Sequence, residues 1–108
     1  MSISGILNTA TSGMLAQQVR VSNVASNIAN ADTPGYRRLN TDLSADGAGV
    51  TATTARSTQE PVTPDVSNVD PLQEMTEMIG AHQAFAANAK VFEAGADMWD
   101  MLMSIKRD

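Results

Sequence analysis

The sequence contains no cysteine, and this absence excludes both a disulfide framework and a cysteine-based zinc site. Only four aromatic residues are present, and three of them, Phe85, Phe92 and Trp99, lie in the last quarter of the chain. The formal net charge of -5 argues against a basic surface for nucleic acid or an anionic membrane. No unbroken apolar run is long enough to span a bilayer. We therefore predict no nucleic-acid partner and no direct membrane insertion.

Positive charge is missing from the start of the chain, where the first basic side chain is Arg20. A cleaved secretion signal needs a basic beginning followed by an apolar run, so we expect no cleaved signal peptide. A length of 108 residues predicts one domain or less, with a modest core.

The first segment repeats apolar residues at alternating steps of four and three, which is typical of a coiled-coil seam and predicts a helix over residues 3 to 31. The seam consists of Ile3, Leu7, Ala10, Met14, Val21, Val24 and Ile28, with Gln17 as its polar member. Ser2 or Ser4 can cap the start. Apart from Arg20 the segment carries no charge, and a small, neutral face suits packing against other helices better than exposure to water.

The last segment has an equally regular seam. Its members are Met75, Met78, Phe85, Ala89, Phe92, Ala96, Trp99 and Met103, with His82 between them. Asp70 suits an N-cap and Pro71 a first helical position, so a helix is predicted over residues 70 to 108. Gly13, Gly80 and Gly95 each cost about 1 kcal/mol in a helix interior, and they either permit close approach of a neighbouring helix or are ordinary losses.

Between the helices, residues 37 to 69 are rich in Ser, Thr, Asp, Gly and Pro and bury little. The stretch GVTATTAR over residues 49 to 56 favours a strand or a hairpin arm. The predicted fold is mainly α, with two long terminal helices that pair as a coiled coil and an irregular linker with at most a short β element. Three divisions follow: an N-terminal helix and turn over residues 1 to 36, a linker or short β-hairpin over 37 to 69, and the C-terminal helix over 70 to 108.

The sequence ASNIANADTPGYRR, residues 25 to 38, marks where the first helix ends. Thr33 precedes a proline and is therefore driven out of helical conformation, and Pro34-Gly35 fits the centre of a type II turn. Tyr36 follows the corner and is expected to pack back on the helix that it has left.

Two segments together resemble the bacterial flagellar basal-body rod proteins and their axial relatives in the hook. VASNIANADTPGYRR is similar to the amino-terminal signature of that family, and SNVDPLQEMTEMIGAHQAFAANAKVF is similar to the carboxy-terminal one. The motif residues that we take from this resemblance are Ser26, Asn27, Ala29, Asn30, Thr33, Pro34, Gly35, Tyr36, Ser67, Asn68, Val69, Asp70, Ala84 and Asn88.

The resemblance implies a structural subunit of the rod that assembles helically, through its terminal helices, with copies of itself and with other axial proteins, and so forms part of the torque-transmitting shaft. It also implies a location in the basal body, in the rod that spans the periplasm, and passage through the flagellar export apparatus without a cleaved signal. The short linker leaves no room for a large β domain, so the chain resembles a short proximal rod protein most. A hook or hook-adapter subunit is the alternative within the family.

Other function classes find less support. The single histidine, His82, lies in a helical seam, and the acids Asp70, Glu74 and Glu77 favour a helix start without needing a metal. We find no catalytic constellation and predict no enzyme activity and no cofactor. A soluble coiled-coil adaptor or export chaperone remains an alternative, because five of the seven methionines lie on the second helix and suit an adaptable binding face.

Overall fold

A computed structural model describes residues 2–106 as two long helices joined by a β-hairpin. The elements in chain order are α1 (Ile3–Ala29), β1 (Leu39–Asp46), β2 (Gly49–Arg56) and α2 (Pro71–Lys106). The mainly helical prediction is therefore confirmed. Met1, Arg107 and Asp108, which the predicted segments include, lie outside the described residues.

Both predicted helix starts are capped. The Ser2 hydroxyl accepts a hydrogen bond of 2.9 Å from the Gly5 N–H, and the Asp70 carboxylate accepts one of 3.0 Å from the Leu72 N–H. Each cap satisfies a donor that has no partner inside the helix. Neither helix, within the residues described, is long and apolar enough to cross a membrane.

The two helices run antiparallel along each other. Leu7 near the start of α1 lies against Gly95 late in α2, whereas Asn27 at the other end of α1 bonds Glu74 in the first turn of α2. Because α2 has 36 residues and α1 has 27, α2 continues beyond the amino-terminal end of α1. The molecule is accordingly a rod with extents of 70 × 23 × 14 Å.

The residues buried between the helices match the predicted seam only in part. Ala10, Gln17, Val24 and Asn27 of α1 are buried, and so are Glu74, Ala81 and Gly95 of α2. Five seam members are instead exposed: Ile28, Met75, Phe92, Trp99 and Met103. The buried residues at this contact are small or polar, and the larger seam residue Leu7 is accommodated opposite Gly95. A coiled coil through the predicted seam is not confirmed, and the seam's role in assembly stays a prediction.

The connection between the helices is more regular than expected. β1 and β2 are eight-residue antiparallel strands, paired from Leu39 opposite Arg56 to Asp46 opposite Gly49. Strand β2 coincides with the predicted strand, whereas the polar composition of β1 is unfavourable for a strand and concealed it. The prediction allowed an irregular linker with at most a short β element, and the structure forms a two-stranded hairpin over residues 39 to 56, where side chains of α1 support it.

The hairpin lies on α1 through hydrogen bonds. The Asn23 amide donates to the hydroxyls of Thr41 and Thr54, at 2.7 Å and 2.9 Å, and thus bonds both strands. Farther along α1, the Ser12 hydroxyl accepts from the Val50 N–H at 3.1 Å. An isolated two-stranded hairpin is marginally stable at best, so this attachment to a helix accounts for the regular strands.

Candidate functional site

The chain turns at the end of α1 as the sequence predicts. The Tyr36 N–H donates to the Thr33 carbonyl at 3.2 Å, and Gly35 has φ of 74°. With Pro34 at the second position this is a type II turn, in which the third position needs a positive φ and therefore favours glycine. The Tyr36 hydroxyl then donates to the Asn27 side-chain oxygen at 3.0 Å. The expectation that the ring returns to α1 is confirmed.

Asn27 is fully buried and uses its side chain to hold the beginning of β1. Its oxygen accepts from the Leu39 N–H at 2.7 Å, and its amide nitrogen donates to the Leu39 carbonyl at 3.0 Å. The same amide nitrogen donates to a carboxylate oxygen of Glu74 at 3.2 Å. Together with the bond from Tyr36, one side chain joins the turn, the hairpin and both helices.

Glu74 is the second fully buried polar side chain at this point. Its carboxylate accepts from the Arg38 guanidinium at 2.8 Å as well as from Asn27. A buried carboxylate without a partner would be costly, so the cation and the amide are both needed to keep it there. Arg38 also donates to the Asn40 side chain at 2.5 Å, which fixes the direction of the guanidinium.

Asn68 connects the loop that precedes α2 to these residues. Its side-chain oxygen accepts from the Arg38 N–H at 2.7 Å, and its amide nitrogen donates to the Ser57 hydroxyl at 3.2 Å. The Asn68 N–H donates to the Tyr36 carbonyl at 3.1 Å. We call Asn27, Tyr36, Arg38, Ser57, Asn68 and Glu74 the polar junction. Every buried side-chain nitrogen and oxygen within residues 2–106 has a hydrogen-bond partner.

Most of the predicted motif residues meet in or beside the polar junction. Ser26, Asn27, Asn30, Thr33, Gly35, Tyr36, Ser67 and Asn68 hydrogen-bond there, Asp70 caps α2, Val69 is half-buried, and Ala29 and Pro34 are exposed. Ala84 and Asn88 lie elsewhere, in the middle of α2, where the Asn88 side chain sits against Gly13. The two signatures, separate in sequence, thus form one structural unit.

Arg38, Ser57 and Glu74 are junction residues whose roles the sequence analysis missed. Glu74 was interpreted as favouring the start of α2, yet it is buried against α1 and the hairpin. An available signal was the opposite charge that the two signatures carry beside their turns, with Arg37 and Arg38 in the first and Asp70 and Glu74 in the second. An ion pair between residues so far apart in the sequence can be predicted only once the antiparallel arrangement of the helices is known.

A second candidate feature is apolar surface on α2. Residues 98–105, which we call the apolar tail, begin beside Ile3 at the start of α1 and continue beyond it. Their exposed apolar side chains are Met98, Trp99, Met101, Leu102, Met103 and Ile105. Nearer the junction an outer groove of about 610 Å³ lies between the helices, and its lining includes Val21, Met78, Ile79, His82 and Phe85. Surfaces of this kind suit protein partners. No group of three or more His, Asp or Glu side chains in the described part of the chain could hold a metal ion.

Comparison with known families agrees with this geometry. The family model described as "Flagella basal body rod protein" matches residues 7–37, and that described as "Flagellar basal body rod FlgEFG protein C-terminal" matches residues 65–105. The two matches together take in about two thirds of the chain, and both reach the polar junction. The chain belongs to the flagellar basal-body rod family. The family consists of structural proteins, so this axial protein is not an enzyme.

Individual relatives are hook proteins. The flagellar hook protein FlgE of Rhizobium meliloti (strain 1021) is 54% identical over 44 residues, which is 41% of this chain and 11% of the hook protein. The FlgE hook protein of Brucella suis biovar 1 (strain 1330) is 53% identical over 41 residues, 38% of this chain and 10% of its own length. The chain thus spans about a tenth of the length of these relatives. The matches support an axial structural protein of the rod and hook class.

Proposed function

We propose that the chain is a structural subunit of the flagellar basal-body rod, which assembles helically through its terminal helices into part of the torque-transmitting shaft. The observation that carries this proposal is the size of the connection between the two family segments. The stretch from Arg38 to Pro64 forms one hairpin and a loop, and the hairpin is attached to α1. A shaft subunit whose helices carry the contacts needs no larger domain between them.

The surfaces of the helices support assembly through them. The buried apolar residues within residues 2–106 are Ala10, Ala16, Val24 and Ala81, all of modest size. Large apolar side chains such as Leu15, Leu72 and Trp99 are exposed instead. A helix that is apolar on several sides is normally covered by neighbours. Neighbouring axial subunits would supply that cover.

The position within the flagellum and the route to it follow from the same proposal. We infer that the chain occupies the proximal rod, within the part of the axis that spans the periplasm, and contacts other rod proteins. We also infer delivery through the flagellar export apparatus without a cleaved signal peptide. The resemblance to rod proteins and the short connection support these inferences.

A hook or hook-adapter subunit is the second candidate, and the FlgE relatives favour it. The matched region is a tenth of each hook protein, however, and the hairpin connection here is short. We therefore place the rod first.

Electron microscopy of basal bodies from a strain that lacks this chain separates the candidates. Membrane rings without a rod are expected if the chain builds the proximal rod. A rod without a hook would favour the hook candidate, and a complete rod and hook would contradict both and favour a soluble adaptor or chaperone. Expression of the intact chain in the deletion strain is the control and should restore the missing part.

A further inference from the structure

The apolar tail is only partly covered within its own molecule, where Ile3 of α1 lies beside Met98, Met101, Leu102 and Ile105. The antiparallel arrangement places Leu7 against Gly95, so the last turns of α2 pass Ile3 and continue beyond the start of α1. Met101 is 66% exposed and Ile105 is 70% exposed, on a helix whose sides at this level are mostly apolar. Exposed apolar surface of this kind on a helix is normally covered by a partner.

The outer groove offers complementary chemistry. Its apolar floor includes Val21, Met78 and Phe85, and Ile79 stands exposed at its edge. No acidic residue is among the residues that line it, and His82 lies within it. The tail carries Asp100 among its apolar side chains, so an acidic group of the tail would meet a groove that holds no carboxylate. Both surfaces carry methionine and an aromatic ring, and contacts between these side chains are favourable.

The exposed area of the molecule also indicates how many contacts it needs. The accessible surface is 7197 Å², whereas a compact monomer of this mass is expected to expose about 5,800 Å². The excess of about 1,400 Å² approaches twice the area of about 800 Å² that one partner buries in a standard interface. Two separate contacts per copy are therefore more consistent with this surface than one.

We propose that the apolar tail of one copy docks in the outer groove of a second copy of the same chain. The inference rests on the proposed function and names the contact by which copies would associate. The groove residue Ile79 and the tail residue Leu102 are separated along α2 by about 35 Å, from the rise per helical residue. One copy uses its tail while its neighbour uses its groove, so the contact is head-to-tail and each added copy presents a fresh surface. Repetition of such a contact gives an open row rather than a closed dimer.

Two single substitutions test this arrangement with the full purified chain in sedimentation velocity. Leu102→Asp disables the tail and Ile79→Asp disables the groove, and both side chains are more than half exposed, so the fold should survive. Each variant alone should self-associate at least about tenfold more weakly than the unaltered chain, because a carboxylate enters an apolar contact. An equal mixture of the two should form one-to-one dimers and nothing larger, since one intact tail then meets one intact groove.

Val62→Asp is the control, because Val62 is 97% exposed on the loop that follows the hairpin, and this variant should associate like the unaltered chain. If Leu102→Asp alone prevents association while Ile79→Asp does not, the tails pair with each other and the proposal is wrong. Association of both variants at unaltered strength, a mixture that stays monomeric, or an unaltered chain that never associates would also overturn it. Dimers in the mixture together with a complete rod in the deletion strain would instead contradict the proposed function and leave this interface standing.

Discussion

At the polar junction, single side chains form hydrogen bonds that backbone groups usually form. Asn27 bonds both the N–H and the carbonyl of Leu39, which is the pair of bonds that a neighbouring strand would supply. Its amide also satisfies one side of the Glu74 carboxylate, and Arg38 satisfies the other. The junction residues therefore depend on one another for their hydrogen bonds, and the loss of one side chain leaves several buried groups without partners.

The residue-scale prediction concerns Asn27→Asp, which preserves the shape of the side chain but replaces the amide donor with a negatively charged oxygen. That oxygen would face the Leu39 carbonyl and the Glu74 carboxylate, both within 3.2 Å of the present amide nitrogen. Loss of a buried hydrogen bond costs about 1–3 kcal/mol, and repulsion between carboxylates adds to it. Urea unfolding followed by circular dichroism should therefore show a free energy of unfolding lower by at least about 2 kcal/mol.

Asn8→Asp is the matched control, because Asn8 is an exposed asparagine on the same helix. It should change the free energy of unfolding by no more than about 0.5 kcal/mol. Equal effects at the two positions would show that the junction does not stabilise the fold.

At the scale of elements, the sequence predicts those features that depend on residues close to one another in the chain. The starts of both helices, the type II turn at Pro34-Gly35 and strand β2 follow from caps, periodicity and turn residues close in sequence. Strand β1 could not be predicted in this way, because its order depends on Asn27 and Asn23 of α1. The helix contact was misplaced for a related reason: a heptad pattern identifies apolar positions but does not show whether they face the other helix or another copy.

The prediction at the scale of elements concerns the contact between Gly13 of α1 and Asn88 of α2. A Cβ atom added at Gly13 would lie 2.6 Å from the Asn88 amide nitrogen, so Gly13→Ala forces the Asn88 side chain to move. The amide would lose its bond of 3.1 Å to the Ala84 carbonyl, which offsets the gain in helix propensity. In the Asn88→Ala background the obstacle is gone, and Gly13→Ala should stabilise by up to about 1 kcal/mol.

A double-mutant cycle from urea unfolding measures this coupling, with Asn88→Ala alone as the control. Additive effects of the two substitutions would contradict the contact and would leave Gly13 as an ordinary loss of helix stability.

At the scale of the whole molecule, the two ends of this elongated chain differ in how many contacts stabilise them. The junction end joins both helices, the turn and the hairpin through buried hydrogen bonds. At the other end the last turns of α2 lie beside Ile3 of α1, and their apolar side chains are exposed. Stability need not be uniform along such a molecule, and segments with few buried contacts open most readily. The end that we propose to dock on a neighbour is thus the end that the monomer supports least.

Amide hydrogen exchange tests this difference directly. In a dilute sample, the amides of Leu39 and Ser57, which donate to Asn27 and to the Arg38 carbonyl, should exchange at least about tenfold more slowly than amides of the apolar tail, a difference of about 1.4 kcal/mol in opening. Raising the protein concentration should slow exchange in the tail and leave the junction unchanged, because the tail gains a partner and the junction does not. The Leu102→Asp chain is the control and should show no such slowing. Uniform protection along α2 in the dilute sample would mean that the tail is stable without a neighbour, and its exposed apolar side chains would then need another explanation.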